Sequence, residues 1–471
     1  MGWSLPSFFR IAATRYTVFV VKILLLSTYE LGRQPFGLAS PAAWLRNRRH
    51  SVHCFDLSRQ PLDETALHDA DLIVFYLPMH TATRLTLEWL PQIHASNPVA
   101  HLCACGLYAQ LNEPHLRAAG FSTILGPEFE ADLADLADAL ASGHPCKRIE
   151  LSAAKLPRLS FQRPDRSGLP ALRKYAHVVL PDGKHRTAGY TEASRGCKHL
   201  CRHCPVVPVY AGRFRVIPQE IVLADIRQQV AAGAGHITFG DPDFFNGVTH
   251  AIRIVEALHA EHPKLSYDAT IKIEHLLRHA SALGTLVRTG CLLVTSAVES
   301  LDDEVLARLE KGHNRADFFD ALNLCTQAGL TLQPTFVPFT PWTTRENYFD
   351  LLETIADHEL IAVVPSVQLA IRLLIPARSR LLELPEVAKL VDNFDPEKLV
   401  YPWRHSDPSI DALAETVSRI VAEAGRHKES RFETFERIWK DAAQLQNTVP
   451  RRIWQTAIFG AAPYLSEPWY C

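Results

Sequence analysis

Residues 191–210 read TEASRGCKHLCRHCPVVPVY. Cys197, Cys201 and Cys204 stand there at C-x3-C-x2-C spacing. Soft thiolates grouped this closely suit a soft metal centre. Structural zinc usually takes four protein ligands in paired spacings such as CxxC…CxxC, and no second pair lies nearby. Zinc would therefore need His199 or His203 as its fourth ligand. Three thiolates on a cubane iron–sulfur cluster instead leave one iron open. The segment just before the cysteines, Ala188–Ser194, reads as a strand. The loop thus falls at a strand's carboxyl end, where (β/α) barrels place their chemistry, and this favours the cluster over zinc.

Five more strand-like segments follow: His236–Gly240, Leu265–Ile271, Leu292–Val298, Leu330–Val337 and Val367–Leu373. Helical stretches such as Pro218–Ala232, Val248–Ala260 and Asp302–Glu310 lie between them. This alternation predicts a partial (β/α)6 barrel over 188–385. A mostly helical C-terminal region is expected over 386–471, with Ile410–Glu423 and Phe432–Gln446 amphipathic.

Upstream, residues 18–145 also alternate. Val18–Leu26, Val52–Leu57, Asp71–Pro78, Val99–Cys103 and Ser122–Leu125 read as near-continuous apolar strands. Pro41–Arg49, with Ser40 as N-cap, Thr81–Ser96, Glu113–Ala119 and Glu128–Leu140 read as helices. The fold class is therefore α/β, with a doubly wound, five-stranded parallel sheet ahead of the barrel. Such sheets bind ligands beyond the strands' carboxyl ends. The first such loop, Ser27–Ser40, has no GxGxxG, so a dinucleotide is not expected. Residues 146–187 read as a linker and 1–17 as an N-terminal arm.

The chain has 471 residues and a formal net charge of −2, with 47% hydrophobic residues and 10 cysteines. That composition is globular. The charge balance supplies no field for nucleic acid. Cysteine is too sparse for a disulfide-stapled secreted scaffold. Arg10, Arg15 and Lys22 interrupt the apolar start, and no run of about 18 apolar residues suggests a span. The expectation is a cytoplasmic protein with neither a membrane nor a nucleic acid as partner.

The cysteine loop resembles the signature of the radical SAM enzymes, and the likeness covers roughly residues 186–385. It implies a [4Fe-4S] cluster on Cys197, Cys201 and Cys204. It also implies S-adenosyl-L-methionine as cofactor, cleaved to a deoxyadenosyl radical after reduction by a donor such as flavodoxin or ferredoxin. The residue before the third cysteine is usually aromatic in that family; here it is His203, whose flat ring can lie near the adenine. Gly240-Asp241-Pro242-Asp243 follows the second strand, where the family has its methionine-binding turn. A glycine there lets the backbone approach, and a carboxylate can accept an ammonium. Glu299-Ser300 ends the fourth strand, where ribose-contacting groups are implied. Lys311-Gly312-His313 is similar to a helix-end stretch of related subfamilies. Arg372, in QLAIRLLIP, is expected to face the barrel interior or the substrate as a catalytic residue.

The stretch Ile23–Ser58 is similar to the start of the domains that precede the barrel in cobalamin-binding radical SAM enzymes. The D-x-H-x-x-G fingerprint is absent, so cobalamin follows from the architecture. Cys54 and Cys103 read as buried strand residues, so a second cluster on Cys54, Cys103 and Cys105 is not expected. The chain stops at YLSEPWYC. This resembles the CUAEP/CCAEP-tail radical SAM group, whose chains end in Cys, then selenocysteine or Cys, then Ala-Glu-Pro. Cys471 is then expected to be a redox-active tail residue, with a selenocysteine codon read as a stop after it. The expected function is radical-initiated methyl transfer to an unactivated carbon of a small molecule or peptide. The alternatives are a radical rearrangement or oxidation served by the tail, and a zinc-stabilised binding protein without catalysis.

Overall fold

The computed structural model describes residues 20–144, 159–445 and 462–467. The expected N-terminal arm and Cys471 lie outside the described residues, as do residues 146–158 of the expected linker. The first sheet contains β1 (Lys22–Ser27), β2 (Ser51–Asp56), β3 (Leu72–Tyr76), β4 (His101–Cys105) and β5 (Thr123–Leu125). All pairs are parallel, in the order β2-β1-β3-β4-β5. The reason is visible in β1, KILLLS, where every residue after Lys22 is buried. Leu24 and Leu26 enter one core with Ile73 and Phe75, while Ile23 and Leu25 enter another with Leu72 and Val74. Alternate side chains thus feed helices on opposite faces, and neither face can be polar. The strand order reverses between β1 and β3, which opens a crevice at their carboxyl ends.

The first helix spans Phe36–Asn47 rather than Pro41–Arg49. Phe36, Gly37 and Leu38 are buried, so packing draws the helix start forward. Ser40 is therefore not an N-cap. It sits inside the helix, and its hydroxyl donates to Glu130 Oε1 at 2.6 Å.

The second sheet runs β13-β12-β11-β10-β7-β6-β14. Its parallel, curled part is β7 (His185–Thr191), β10 (His236–Phe239), β11 (Ser266–Thr270), β12 (Cys291–Glu299) and β13 (Thr331–Phe336). The antiparallel edge is β6 (His177–Val179) and β14 (Tyr464–Leu465). The expected sixth strand, Val367–Leu373, is reduced to one parallel bridge between Phe339 and Arg372. Ser366–Leu369 is a 3₁₀ turn instead. From that turn Gln368 Oε1 accepts the Phe336 N–H at 3.1 Å, so a side chain takes the place of a ladder carbonyl.

Helices Pro408–His427 and Arg431–Leu445 close the fold. Their apolar stripe, including Ile410, Val417, Ile420, Ile438 and Trp439, belongs to the barrel's own core. No helix among the described residues is long and apolar enough to cross a membrane.

Candidate functional site

The chain leaves β7 at Thr191 and enters a short strand, β8 (Ser194–Gly196), paired antiparallel with β9 (Phe214–Val216). The cysteine loop is the excursion between these two strands. Gly196 has φ of +77° and lies so close to the Arg213 carbonyl that a Cβ would come within 2.5 Å of it, so a side chain is excluded there. The loop is pinned from several sides. Asn246 Oδ1 accepts the Lys198 N–H at 3.1 Å. Arg380 donates to the Leu200 carbonyl at 2.6 Å, and Arg202 to the Arg308 carbonyl at 2.9 Å. Cys201 is buried, while Cys197 and Cys204 are half-buried.

Three residues from distant parts of the sequence meet beside this loop. Glu299 Oε1 lies 3.1 Å from His203 Nε2 and 3.2 Å from Lys311 Nζ. Burial alone would push the Glu299 carboxyl up; Lys311 and His203 more than offset it and hold it well below the usual range. Glu299 has φ of +70° at an irregular register between β12 and β13. Left-handed backbone in a non-glycine residue is costly and marks a position held by its surroundings. Lys272, just after β11, completes the group. Its Nζ donates to the Lys311 carbonyl at 2.8 Å and lies 3.7 Å from Cys201 Sγ.

The Gly240–Asp243 turn is held by several internal contacts. A Cβ on Gly240 would stand 1.9 Å from the Tyr190 hydroxyl, so the glycine is required by that ring. Asp241 accepts the Ala193 N–H at 2.9 Å and the Ser194 hydroxyl. Burial pushes its carboxyl up to about 7. Asp243 Oδ2 lies 2.6 Å from His275 Nδ1 and 3.2 Å from His199 Nε2. Burial would raise Asp243 too, but the two imidazoles hold it at about 2. Cys197, His199 and Asp243 offer ligand atoms within 4.8 Å of one another, a mixed set that zinc also accepts.

Two further expected residues have structural partners. The Ser300 hydroxyl accepts the Asp302 N–H at 3.0 Å, in the turn that starts helix Asp303–Arg308. Arg372 pairs with Asp411 at 2.7 Å, donates to the Trp403 carbonyl at 2.9 Å, and has its guanidinium 3.7 Å from the Trp403 ring centroid. These contacts tie the barrel to the C-terminal region and satisfy the guanidinium.

Residues 191–356 match the family model of the radical SAM superfamily. The chain carries a radical SAM domain. Such a domain implies a [4Fe-4S] cluster and S-adenosylmethionine. The sequence is 26% identical over 157 residues to hopanoid C-3 methylase of Methylococcus capsulatus, covering 33% of this chain and 30% of that protein. It is 24% identical over 207 residues to tRNA-2-methylthio-N(6)-dimethylallyladenosine synthase of Marinomonas sp., covering 40% of this chain and 44% of that protein. The chain thus spans less than half the length of these two relatives. In fold it is similar to the cobalamin-dependent S-adenosylmethionine radical enzyme OxsB, with TM-score 0.63 and 17% identity, covering 84% of this chain and 66% of that one. It is also similar to the radical S-adenosylmethionine methyltransferase TsrM of Kitasatospora setae, with TM-score 0.57 and 17% identity, covering 72% of this chain and 71% of that one. The architecture of a five-stranded parallel sheet ahead of a parallel half-barrel is therefore shared.

Between the radical SAM domain and the first sheet lies a cleft of about 170 Å³. Gly37, Tyr76, Gly106 and Phe129 line it from the first sheet's carboxyl edge, and Tyr190, Glu192, Arg195 and Gly240 from the barrel side. The junction is charged. Arg195 donates to Glu130 at 2.7 Å and to Glu192 at 2.7 Å, and lies 3.8 Å from Glu128. Glu128 Oε2 and Glu30 Oε1 are buried acceptors without a hydrogen-bond partner. The position at the switch crevice suits a cofactor. The free space is that of a small ligand.

Sequence reasoning missed Lys272, His275 and Asn246. A lysine flanked by isoleucines at a barrel strand's end, in TIKIEH, was the available signal for the first.

Proposed function

We propose that this protein is a radical SAM enzyme in which Cys197, Cys201 and Cys204 hold a [4Fe-4S] cluster. The observation that carries the reading is the pinned three-thiolate loop at the carboxyl edge of the parallel half-barrel, within the family match. When bound, the cluster and S-adenosylmethionine supply a deoxyadenosyl radical by one-electron cleavage of the sulfonium. The chain's residues do the rest. Asn246, Arg380 and Arg202 fix the loop that carries the three thiolates. His203, held by Glu299, offers a flat ring for the adenine, and Glu299 and Ser300 the polar edge for a ribose. Asp243 is the carboxylate proposed for the methionine ammonium, with Gly240 and Asp241 shaping its turn. Half-buried Cys197 and Cys204 leave that side open to cofactor and substrate.

Methyl transfer to a small molecule or peptide is the proposed outcome, supported by the methylase and methylthio-group relatives. Cobalamin is proposed to occupy the cleft between the sheets, supported by the shared architecture. A low-potential flavodoxin or ferredoxin is the proposed donor.

The deciding experiment is anaerobic reconstitution with iron, sulfide and cobalt counted together. About four irons per chain and deoxyadenosine release support the reading, and Cys201→Ala should abolish both. A colourless zinc protein that never releases deoxyadenosine overturns it. Failure to bind hydroxocobalamin, with deoxyadenosine still formed, removes cobalamin alone.

A further inference from the structure

Lys272 is 6% exposed, and its ammonium has no carboxylate among its hydrogen-bond partners in the described residues. Its partners are the Lys311 carbonyl and the Cys201 sulfur. The neighbouring lysine differs in this respect, because Lys311 is matched by Glu299 at 3.2 Å. A buried ammonium without a counter-charge is costly, and a neutral thiol or a carbonyl does not offset it. The side on which the charge can be matched is the cysteine loop, where an anionic metal–thiolate centre would stand.

We propose that Lys272 is a positioning residue for electron entry: it raises the reduction potential of the cluster held by Cys197, Cys201 and Cys204. The inference rests on the cluster assignment above. One-electron reduction adds a negative charge to the cluster. A fixed positive charge near one of its thiolate ligands stabilises the reduced form more than the oxidised form. In a buried site this attraction is weakly screened. An N–H donated toward a ligand sulfur acts in the same direction, and net charge and such hydrogen bonds are established levers on cluster potential. The backbone supports the placement, since the Lys272 N–H faces Asp243 Oδ1 at 3.4 Å and holds the start of helix Ile273–Arg278 against the Gly240–Asp243 turn.

The test is an anaerobic redox titration of the reconstituted full chain, read by the EPR signal of the reduced cluster, without S-adenosylmethionine. Lys272→Met should keep the wild-type iron and sulfide count. At the wild-type midpoint its ratio of reduced to oxidised cluster should fall about tenfold, a shift of ~59 mV to lower potential for one electron. Lys272→Arg, which keeps the charge, should titrate near the wild type. Lys272→Gln serves if the methionine variant assembles poorly. The inference is overturned if the neutral variants titrate with the wild type, if Lys272→Arg shifts as far as Lys272→Met, or if the shift appears only with S-adenosylmethionine bound. A wild type that assembles no cluster overturns the cluster assignment itself, which is a distinguishable failure.

Discussion

The carboxylate of Glu299 lies 3.1 Å from His203 Nε2, although 96 residues separate the two in sequence. The contact joins the end of β12 to the cysteine loop. Lys311 approaches the same oxygen from the far side. A strand end, a helix end and the cysteine loop are thereby locked to one buried atom.

That arrangement predicts a stability defect with a specific partner. Glu299→Leu leaves the ammonium of Lys311 buried and unmatched, and should cost about 3–5 kcal/mol. Adding Lys311→Met should recover a large part of it, because the second change removes the stranded charge. Urea midpoints of the two single variants and the double variant measure the coupling. Independent, additive losses would contradict the pairing.

Asp241 predicts a pH dependence of definite sign. Burial pushes its carboxyl from the usual 3.8 up to about 7. The folded chain therefore holds this proton more tightly than the unfolded chain does. The associated stability is complete below about pH 3.8 and is lost as the pH rises through about 7. Relative to Asp241→Asn, the wild type should lose on the order of 4 kcal/mol between pH 4 and pH 8. Parallel urea curves across that range test it, and equal slopes for the two proteins would refute it.

Gly240 should tolerate no side chain. Gly240→Ala drives a methyl group into the Tyr190 ring, within 2.5 Å of three of its atoms. Overpacking of this kind costs typically 1–3 kcal/mol. Tyr190→Ala should be less damaging in the Gly240→Ala background than in the wild type, and a double-mutant cycle on thermal unfolding reads that coupling.

Arg195 should prove important to the junction between the first sheet and the barrel. Arg195→Met leaves Glu128, Glu130 and Glu192 together without their shared cation. A loss of about 3–5 kcal/mol is expected, seen as a lowered urea midpoint. Arg195→Lys should restore only part of it, since an ammonium cannot reproduce the guanidinium's several directed bonds.

The sequence by itself determined the first sheet and the parallel strands of the second. Apolar runs such as LLL in β1 and LIVF in β3 admit a sheet covered on both faces, whatever surrounds them. It also determined the cysteine loop, because three thiolates at that spacing are local chemistry. Tertiary structure decided the rest. The helix starts at Phe36 because Tyr76 needs Gly37 and Phe36 meets the ring of Tyr190 in the barrel, which no capping signal announces. The expected sixth strand became a single bridge because Gln368 took over a backbone partner. Arg372 found Asp411 and Trp403 on a later segment of the chain. Lys272 came to face Cys201 across 71 residues of sequence. Periodicity and spacing act over a few residues and can be read in one dimension. Burial of charge and the choice of its partner depend on which distant segments meet, and that is settled when the sheets close.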